Sequence, residues 1–485
     1  MELTIVEKNK DNNNYNLTRD QEIASGEMIE FIGRDFNPSK YIVGLVGAGG
    51  VGKTYTINFI IKNCRYSRSV IRCAAPAHKA CRVLSEAIEG HPVDTIHSVF
   101  GFRPNLRLEN FDPKNPQFAS MGKTKLDGIK LLIIDESSMI PFKVVNYICD
   151  KCKELGIKVI FMGDDYQLSP PRERKSTAFS RCYVIYTLTQ IVRQGINNPI
   201  NPLLKMLRDD IDKRRYSFLD YISKRVGKSF YNDIGEGYKV LTPTGFTEQV
   251  NHSFSDKAYT SNIDMYRIIA YTNNCVTGWN KYIRDTIIKD ADRNILTKND
   301  LVMSYETIVD EFLDVIINNS EEYIVNDITN FVDDKYGFKG FLVRFQLVHG
   351  GMVTRPLFVI DHTDKFTINM YHKIKTTLTA NGQNSHASNR VGKWNEYYDF
   401  KKKYLLAANI WDHRTGKIIH DRDIDYGFSL TAHKSQGSTY GSVFVNVNNI
   451  IYDKNGQPYA DQDDLLRRLY VACSRTKKEL ILHYG

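Results

Sequence analysis

Residues 47–54 read G-A-G-G-V-G-K-T and give the strongest indication of the fold of the first half of the chain. An apolar run at residues 41–46 precedes it, and a helix-compatible stretch at residues 55–63 follows. A glycine-rich loop between a strand and a helix is typical of a nucleotide phosphate site, because backbone amides and the positive end of the helix point at the anion. Lys53 is expected to reach the β- and γ-phosphates, and the Thr54 hydroxyl to hold Mg²⁺.

A second segment, residues 131–136 (L-L-I-I-D-E), completes the predicted site. A continuous apolar run indicates a strand buried on both faces, as in parallel sheets. Catalytic groups in such sheets lie beyond the carboxyl ends of the strands, where Asp135 and Glu136 fall. We expect Asp135 to bind Mg²⁺ and Glu136 to orient and deprotonate the attacking water. A bare Asp-Glu pair is more often a solvated surface feature, so the preceding strand and the glycine-rich loop carry the prediction.

The composition fits a globular chain with a polyanionic partner. Its 485 residues suffice for about three domains of ~150 residues, and its net charge of +9 suits nucleic acid. No apolar stretch approaches the ~20 residues that span a membrane, and the polar start is unlike a secretory signal, so no membrane partner and a cytoplasmic location are expected. The eight cysteines are scattered; Cys149 and Cys152 form a C-x-x-C that we interpret as buried thiols on one helix face.

The order of predicted elements indicates two α/β units with insertions. Apolar strands alternating with helices predict parallel sheets flanked by helices. The first unit comprises residues 1–95 and 126–190, interrupted by a Pro- and Asn-rich segment at 96–125. The second comprises residues 191–286 and 426–485, interrupted by a long β-rich insertion at 287–425.

The long insertion is expected to form a small SH3-like barrel with a projecting tower. Residues 310–319 are apolar and acidic, and we expect a helix there. Gly350-Gly351 between two apolar runs predicts a hairpin. The aromatic and basic stretch at residues 394–403 either contacts nucleic acid or packs the insertion as a helix, and the second alternative is favoured.

Seven further segments, in their order along the chain, resemble the motifs of superfamily 1 helicases, most closely the 1B branch that contains RecD and the phage DNA-dependent ATPase helicase Dda. The resemblance covers most of the chain outside the insertions. The segments are residues 17–21 (LTRDQ), 74–80 (AAPAHKA), 94–98 (DTIHS), 163–171 (GDDYQLSPP), 188–194 (LTQIVRQ), 430–439 (LTAHKSQGST) and 469–476 (LYVACSRT).

This resemblance implies two RecA-like motor domains and assigns roles to particular residues. Gln21 would read the adenine of ATP, and Gln167 would couple the γ-phosphate to DNA. Arg193 and Arg475 would reach across the cleft to the transferring phosphate, where such arginines contribute about 10³–10⁵ in rate. The full set of predicted ATP contacts is Gln21, Gly47, Gly49, Gly50, Val51, Gly52, Lys53, Thr54 and Gly437. The predicted contacts to single-stranded DNA are Pro76, His78, Lys79, Thr95, His97, Thr431, His433 and Lys434.

The implied activity is ATP-driven movement from 5′ to 3′ on single-stranded DNA with opening of duplex at a fork. A translocase that mainly displaces bound proteins, an RNA helicase of the same superfamily and a binding module with an inactive ATPase core are the alternatives. The family implies a monomer, and single-strand-binding or replication proteins are possible partners. The insertion at 96–125 would carry a strand-separating aromatic, Phe118 or alternatively Phe111, unless that side chain only packs the hairpin on its domain.

Overall fold

The structure, a computed structural model, describes most of the chain. It covers residues 16–102, 123–170, 173, 176–192, 197–257, 259, 262–288, 291, 294–310, 314–408, 410–412, 417–419 and 421–485. The predicted hairpin with Phe111 and Phe118, and the predicted catalytic Arg193, lie outside these residues.

The first domain is a parallel six-stranded sheet with helices on both faces. Continuous apolar runs form its central strands because both faces are covered by core side chains. Its elements are α1 (Arg19–Gly33), β1 (Ile42–Gly47), α2 (Lys53–Asn63), β2 (Ile71–Ala75), α3 (His78–Ala87), β3 (Val93–Thr95), α4 (Ile96–Phe100), β4 (Leu131–Ile134), α5 (Phe142–Glu154), β5 (Lys158–Gly163), α6 (Thr177–Ser180) and β6 (Val184–Leu188).

The strand order β3-β2-β4-β5-β1-β6 brings the predicted site together. Val46 of β1 pairs with Gly163 of β5, and Ile134 of β4 pairs with Phe161. The carboxyl ends of β1, β4 and β5 therefore meet at one edge of the sheet. The glycine-rich loop, Asp135 and the segment after Gly163 all start from this edge.

The second domain repeats the architecture. Its six-stranded sheet is parallel except for one edge strand, and the strand order is Ser429–Thr431, Tyr266–Ala270, Tyr440–Asn446, Thr476–His483, Gly237–Leu241 and the antiparallel edge Lys228–Tyr231. Before the insertion come α7 (Ile200–Lys213), α8 (Ser217–Ser223), β7 (Lys228–Tyr231), β8 (Gly237–Leu241), α9 (Pro243–Phe254), β9 (Tyr266–Ala270) and α10 (Asn273–Ile287).

The insertion is built on a five-stranded antiparallel sheet of order β15-β14-β13-β10-β18. Two long helices follow β15 and pack against each other. The elements are β10 (Leu301–Ser304), β11 (Ile308–Val309), β12 (Val315–Ile317), β13 (Glu322–Val332), β14 (Lys339–Leu347), β15 (Leu357–Ile360), α11 (Lys365–Asn384), α12 (Ala387–Lys403), β16 (Ile410–Asp412), β17 (Lys417–Ile419) and β18 (Ile424–Tyr426).

The chain then returns to the second domain and completes its sheet. The returning elements are β19 (Ser429–Thr431), α13 (Ala432–Ser435), β20 (Tyr440–Asn446), α14 (Val447–Ile451), α15 (Gln462–Ser474) and β21 (Thr476–His483). The α/β fold class with parallel sheets is confirmed. Among the helices that the structure describes, none is sufficiently long and apolar to cross a bilayer.

Two predictions within the insertion have different outcomes. The helix expected at residues 310–319 is wrong, because Val315–Ile317 form a strand that pairs with Ile308–Val309. The hairpin is confirmed: β14 and β15 are antiparallel, and Gly350 and Gly351 have φ angles of 117° and 67°.

Candidate active site

The glycine-rich loop wraps back on itself between β1 and α2. Gly50 and Gly52 have φ angles of 86° and 81°, which side-chain-bearing residues rarely adopt. A Cβ at Gly52 would also lie 2.4 Å from Gln21 Nε2, so a side chain there would displace the Gln21 amide from its contact with the loop. Lys53 Nζ donates to the carbonyl oxygens of Gly47 (2.7 Å) and Ala48 (3.1 Å), which places the ammonium inside the curve of the loop.

Gln21 holds the start of α1 against this loop. Its Nε2 donates to the Val51 carbonyl at 2.9 Å, and its Oε1 accepts from the Thr18 amide at 3.0 Å. Thr18 in turn caps the helix by accepting from the Gln21 amide, a reciprocal capping box. Buried Gln21 therefore stabilises the glycine-rich loop in this conformation. Its contact with the adenine of ATP stays a prediction.

Asp135 and Glu136 lie at the end of β4, beside the loop. Glu136 has a left-handed φ of 49°, and its buried Oε2 has no hydrogen-bond partner within the described ranges. Burial, together with neighbouring Asp135, raises the pKa of Glu136 to about 7, although Arg475 and Lys53 oppose the shift. Burial also raises the pKa of Asp135, against the effect of Lys53. A carboxyl with a raised pKa and an unused oxygen suits a proton acceptor.

Arg475 comes to this site from the second domain. It follows α15, is 5% exposed, and donates from Nε to the Val471 carbonyl at 3.1 Å. Its other nitrogens bond Ser438 O (3.4 Å) and Ser474 Oγ (2.9 Å). These contacts orient the guanidinium, which acts electrostatically on Glu136 of the first domain. The structure therefore brings the predicted arginine and the predicted base to the same cleft.

A second contact between the domains, which sequence reasoning missed, closes the cleft at residues 164–168. Tyr470 of α15 donates its hydroxyl to the fully buried Asp164 at 2.8 Å. Arg467, one turn earlier, donates to the carbonyls of Asp165 and Gln167. We call this group the domain clasp: Asp164, Asp165, Gln167, Arg467 and Tyr470.

The sequence contains one indication of the domain clasp. Tyr470 lies five residues before Arg475 in the segment that resembles a helicase motif, on the helix that ends at the site. Gln167, predicted to sense the γ-phosphate, is 5% exposed, and its buried Oε1 has no partner among the residues described. An amide oxygen in that state is available for a ligand.

Two threonines predicted to contact DNA occupy equivalent positions in the two domains. Thr95 caps α4 by accepting from the Ser98 amide, and Thr431 caps α13 by accepting from the Lys434 amide, each at 3.2 Å. A hydroxyl that accepts such a bond still carries a hydrogen that can be donated to a phosphate oxygen. Thr95 and Thr431 are the last residues of β3 and β19, at the carboxyl ends of these parallel strands.

Apart from the lysines, the other residues predicted to contact DNA or nucleotide in segments 74–80, 94–98 and 430–439 are three histidines, a proline and a glycine. His78 and His97 are close enough to interact electrostatically. Burial lowers the pKa of His433 to about 4, so this ring is neutral near pH 7 and would act as a hydrogen-bonding group. Pro76 follows β2 directly, and Gly437 (φ 71°) lies against Ala80 of α3. These placements leave the assigned contacts to DNA and nucleotide as predictions.

Two predicted DNA-binding lysines are engaged by the inserted domain. Lys79 is 9% exposed and donates to Glu322 at 3.0 Å. Lys434 donates to Asn319 (3.0 Å) and Ser320 (2.9 Å). Both cations are therefore committed to protein partners in this conformation.

The chain is similar to several known proteins. Residues 36–172, which include the loop and both acids, match the family described as AAA domain. An uncharacterized protein of Acanthamoeba polyphaga mimivirus is 23% identical over 95% of this chain and 98% of its own length. An uncharacterized protein of Methanocaldococcus jannaschii is 24% identical over 90% of this chain, which spans only 36% of that protein.

Helicases are also among the similar proteins. The ATP-dependent DNA helicase Pif1 of a Psychrobacter species is 31% identical over 138 residues, which are 27% of this chain and 20% of the helicase. The crystal structure of Bacteroides Pif1 with ADP-AlF3 and single-stranded DNA is 16% identical, covers 96% of this chain and 92% of that one, and gives a TM-score of 0.48. The Candida albicans Pif1 structure is 18% identical, covers 97% and 94%, and gives 0.47. The first domain of this chain is thus similar to AAA domains, and part of the chain to a Pif1 helicase.

Proposed function

We propose that this chain is an ATP-dependent DNA helicase of superfamily 1B. In this proposal it hydrolyses ATP, moves 5′ to 3′ on single-stranded DNA and opens duplex at a fork. The observation that carries the proposal is that Arg475 of the second domain and Lys53 of the glycine-rich loop both act electrostatically on Glu136 of the first domain. The similarity to the Psychrobacter DNA helicase supports the choice of DNA as the polymer.

Each residue of the cleft has its own role in phosphoryl transfer. Lys53 and the amino end of α2 bind the phosphates of ATP. Glu136 takes the proton of the attacking water through the oxygen that has no hydrogen-bond partner among the described residues. Arg475 neutralises charge that develops on the transferred group. Thr54 and Asp135 offer oxygen ligands that suit Mg²⁺, which when bound adds further neutralisation of phosphate charge.

Hydrolysis is coupled to the relative position of the two domains. Arg475 and Tyr470 both belong to the α15 region, so they leave the first domain together when the cleft opens. Opening would break the Tyr470–Asp164 hydrogen bond and leave a buried carboxylate without that donor. The closed cleft is therefore the hydrolytic state, and each opening and closing would shift one DNA-binding segment relative to the other.

The nucleic-acid path runs along the segments that follow the strand ends. Thr95 and His97 of the first domain, and Thr431 and His433 of the second, supply hydrogen-bonding groups for the sugar-phosphate backbone. We propose that a monomer binds one strand here, and that single-strand-binding or replication proteins are its partners at a fork.

The direct test combines an ATPase assay with tailed duplexes. ATP turnover should rise strongly on addition of oligothymidine, because DNA that contacts both domains favours closure. Duplexes with a 5′ tail should be unwound, and matched duplexes with a 3′ tail or blunt ends should not. Efficient unwinding from a 3′ tail would contradict the direction. Turnover indifferent to DNA would contradict the helicase assignment. The Lys53→Ala variant serves as the inactive control, since it lacks the phosphate contact.

A further inference from the structure

A short turn of the inserted domain touches both motor domains. It comprises residues 319–322, between β12 and the start of β13, and we call it the acidic turn. Ser320 has a left-handed φ of 64°, and its amide donates to the Ser304 carbonyl at 3.0 Å. The Ser304 amide donates to the Glu321 carbonyl at the same distance, so the turn is fixed on the adjacent strand β10.

Toward the first domain, the acidic turn holds two cations of α3. Glu322 accepts from Lys79 at 3.0 Å, and Glu321 accepts from Arg82 with both oxygens at 3.2 Å. Both carboxylates are buried, at 3% and 1% exposure for Glu321 and Glu322. The helix α3 begins within segment 74–80, which resembles a DNA-binding motif, and Lys79 is one of the predicted DNA contacts of that segment.

Toward the second domain, the same turn holds two more cations. Glu322 accepts from the fully buried Arg267 at 2.8 Å. Lys434, another predicted DNA contact, donates to Asn319 and Ser320. Burial would raise the pKa of Glu322, but Arg267 and Lys79 outweigh it and hold this pKa below its ordinary value, so the carboxylate is charged.

The acidic turn presents to these cations the groups that a nucleic-acid backbone would present. Carboxylate, amide and hydroxyl oxygens accept the same hydrogen bonds from lysine and arginine as phosphate oxygens do. A cation that donates to the turn must give up that bond, or share it, before it neutralises a phosphate. Parting buried charges is costly, because each loses its partner in a poorly solvated place.

We propose that the acidic turn is an internal competitor of single-stranded DNA, which occupies Lys79, Arg82 and Lys434 until a DNA strand displaces it from them. This inference rests on the proposed function, since it needs a chain that binds DNA. Arg267 remains as the partner of Glu322 after displacement, so that carboxylate is never left without a cation. The turn would thereby link DNA entry to release of the inserted domain from the first motor domain.

The test measures binding of fluorescent oligothymidine by anisotropy to the full chain and to Glu321→Gln. This variant keeps the shape of the side chain and removes the charge that holds Arg82. We expect its Kd to be lower than that of the parent by about two- to fivefold, because Arg82 is partly exposed although Glu321 is buried, and the amide oxygen of glutamine can still accept from Arg82. Asp334→Asn is the matched control, since it removes the same charge from an exposed site on the same domain and should bind like the parent. A Kd for Glu321→Gln equal to or above the parent's, or an equal gain in Asp334→Asn, overturns the proposal.

A second variant and a second measurement guard against misfolding. Asn319→Ala combined with Ser320→Gly removes the two side chains of the turn that accept from Lys434, while glycine tolerates the positive φ, and it too should bind DNA more tightly. In the parent, energy transfer between dyes attached at exposed Glu86 of α3 and exposed Asp334 of the inserted domain should change when oligothymidine is added, and unchanged transfer contradicts displacement. Absence of DNA binding by the parent would refute the proposed function itself, whereas a binding parent with unaltered variants would refute only the acidic turn.

Discussion

Glu136 shows how one residue's chemistry depends on its surroundings. Burial and Asp135 favour the neutral carboxylic acid, while Arg475 and Lys53 favour the carboxylate. The result is a pKa of about 7, poised between the two forms. Because one of the opposing cations comes from the second domain, the state of this group depends on closure of the cleft.

Replacing Glu136 by Gln should separate nucleotide binding from hydrolysis. The amide keeps the size of the side chain but cannot accept the proton of water, so turnover should fall by about 10²–10⁴. Affinity for a fluorescent ATP analogue should stay near that of the parent. Glu86→Gln, an exposed position on α3, is the control for loss of one carboxylate. Hydrolysis by Glu136→Gln at the parent rate would remove Glu136 from the role of base.

Gln21 offers a choice between two roles that a nucleotide comparison can separate. In a structural role, its amide donates a hydrogen bond to the Val51 carbonyl and stabilises the loop that contacts the phosphates of any nucleotide. As a reader of adenine, it would discriminate ATP from GTP. From the observed contacts we expect Gln21→Ala to raise the KM for both nucleotides by a similar factor. A variant that loses only its preference for ATP would show instead that the adenine contact dominates.

At the scale of elements, continuous apolar runs predicted the strands well where tertiary contacts agree with local preference. The runs that became β1, β4 and β5 are buried on both faces, and the residues at their carboxyl ends form the site. The failure at residues 310–319 has a physical reason. Val315, Ile316 and Ile317 are β-branched, and pairing of this strand with Ile308–Val309 outweighed the helix expected from the apolar and acidic composition.

The domain clasp gives a prediction at this scale, carried by α15. Tyr470→Phe removes the hydroxyl that donates to the buried Asp164, and the unsatisfied oxygen should lower the free energy of unfolding by about 1–3 kcal/mol. DNA-stimulated turnover should also fall. The Tyr470–Asp164 hydrogen bond forms only in the closed cleft, so its loss makes closure less favourable. Chemical denaturation and ATPase assays measure the two effects. Tyr282→Phe, on an exposed face of α10, is the control; if both variants match the parent, the clasp does not stabilise closure.

For the whole molecule, the contacts between domains were beyond prediction from the sequence. Local patterns placed Lys79 and Lys434 in segments that resemble DNA-binding motifs. Their partners in the acidic turn are 243 and about 115 residues away along the chain and follow only from three-dimensional packing. Likewise, Tyr470 and Asp164 are 306 residues apart. The residues at the carboxyl ends of apolar strands identify a catalytic site from the sequence alone. The contacts that join one site to another depend on how the domains pack against each other.

The last prediction concerns strand separation, which requires ATP-driven movement together with a side chain that acts as a wedge between the two DNA strands. Phe118 lies between the segments that resemble two motifs of the first domain, in a stretch with the turn-prone run Asp112-Pro113-Lys114-Asn115-Pro116, outside the residues that the structure describes. An aromatic ring at a fork can stack on the last base, with stacking worth about 1–3 kcal/mol.

Phe118→Ala should therefore retain DNA-stimulated ATPase and movement along single strands, while unwinding of 5′-tailed duplex falls sharply. The residues that perform hydrolysis lie elsewhere, so the motor should be unaffected. Phe111→Ala is the matched control, because it removes the other aromatic of the same segment. Loss of unwinding only in Phe111→Ala would move the wedge to that residue. A parallel fall of ATPase and unwinding in Phe118→Ala would mean that its ring packs the segment onto the first domain.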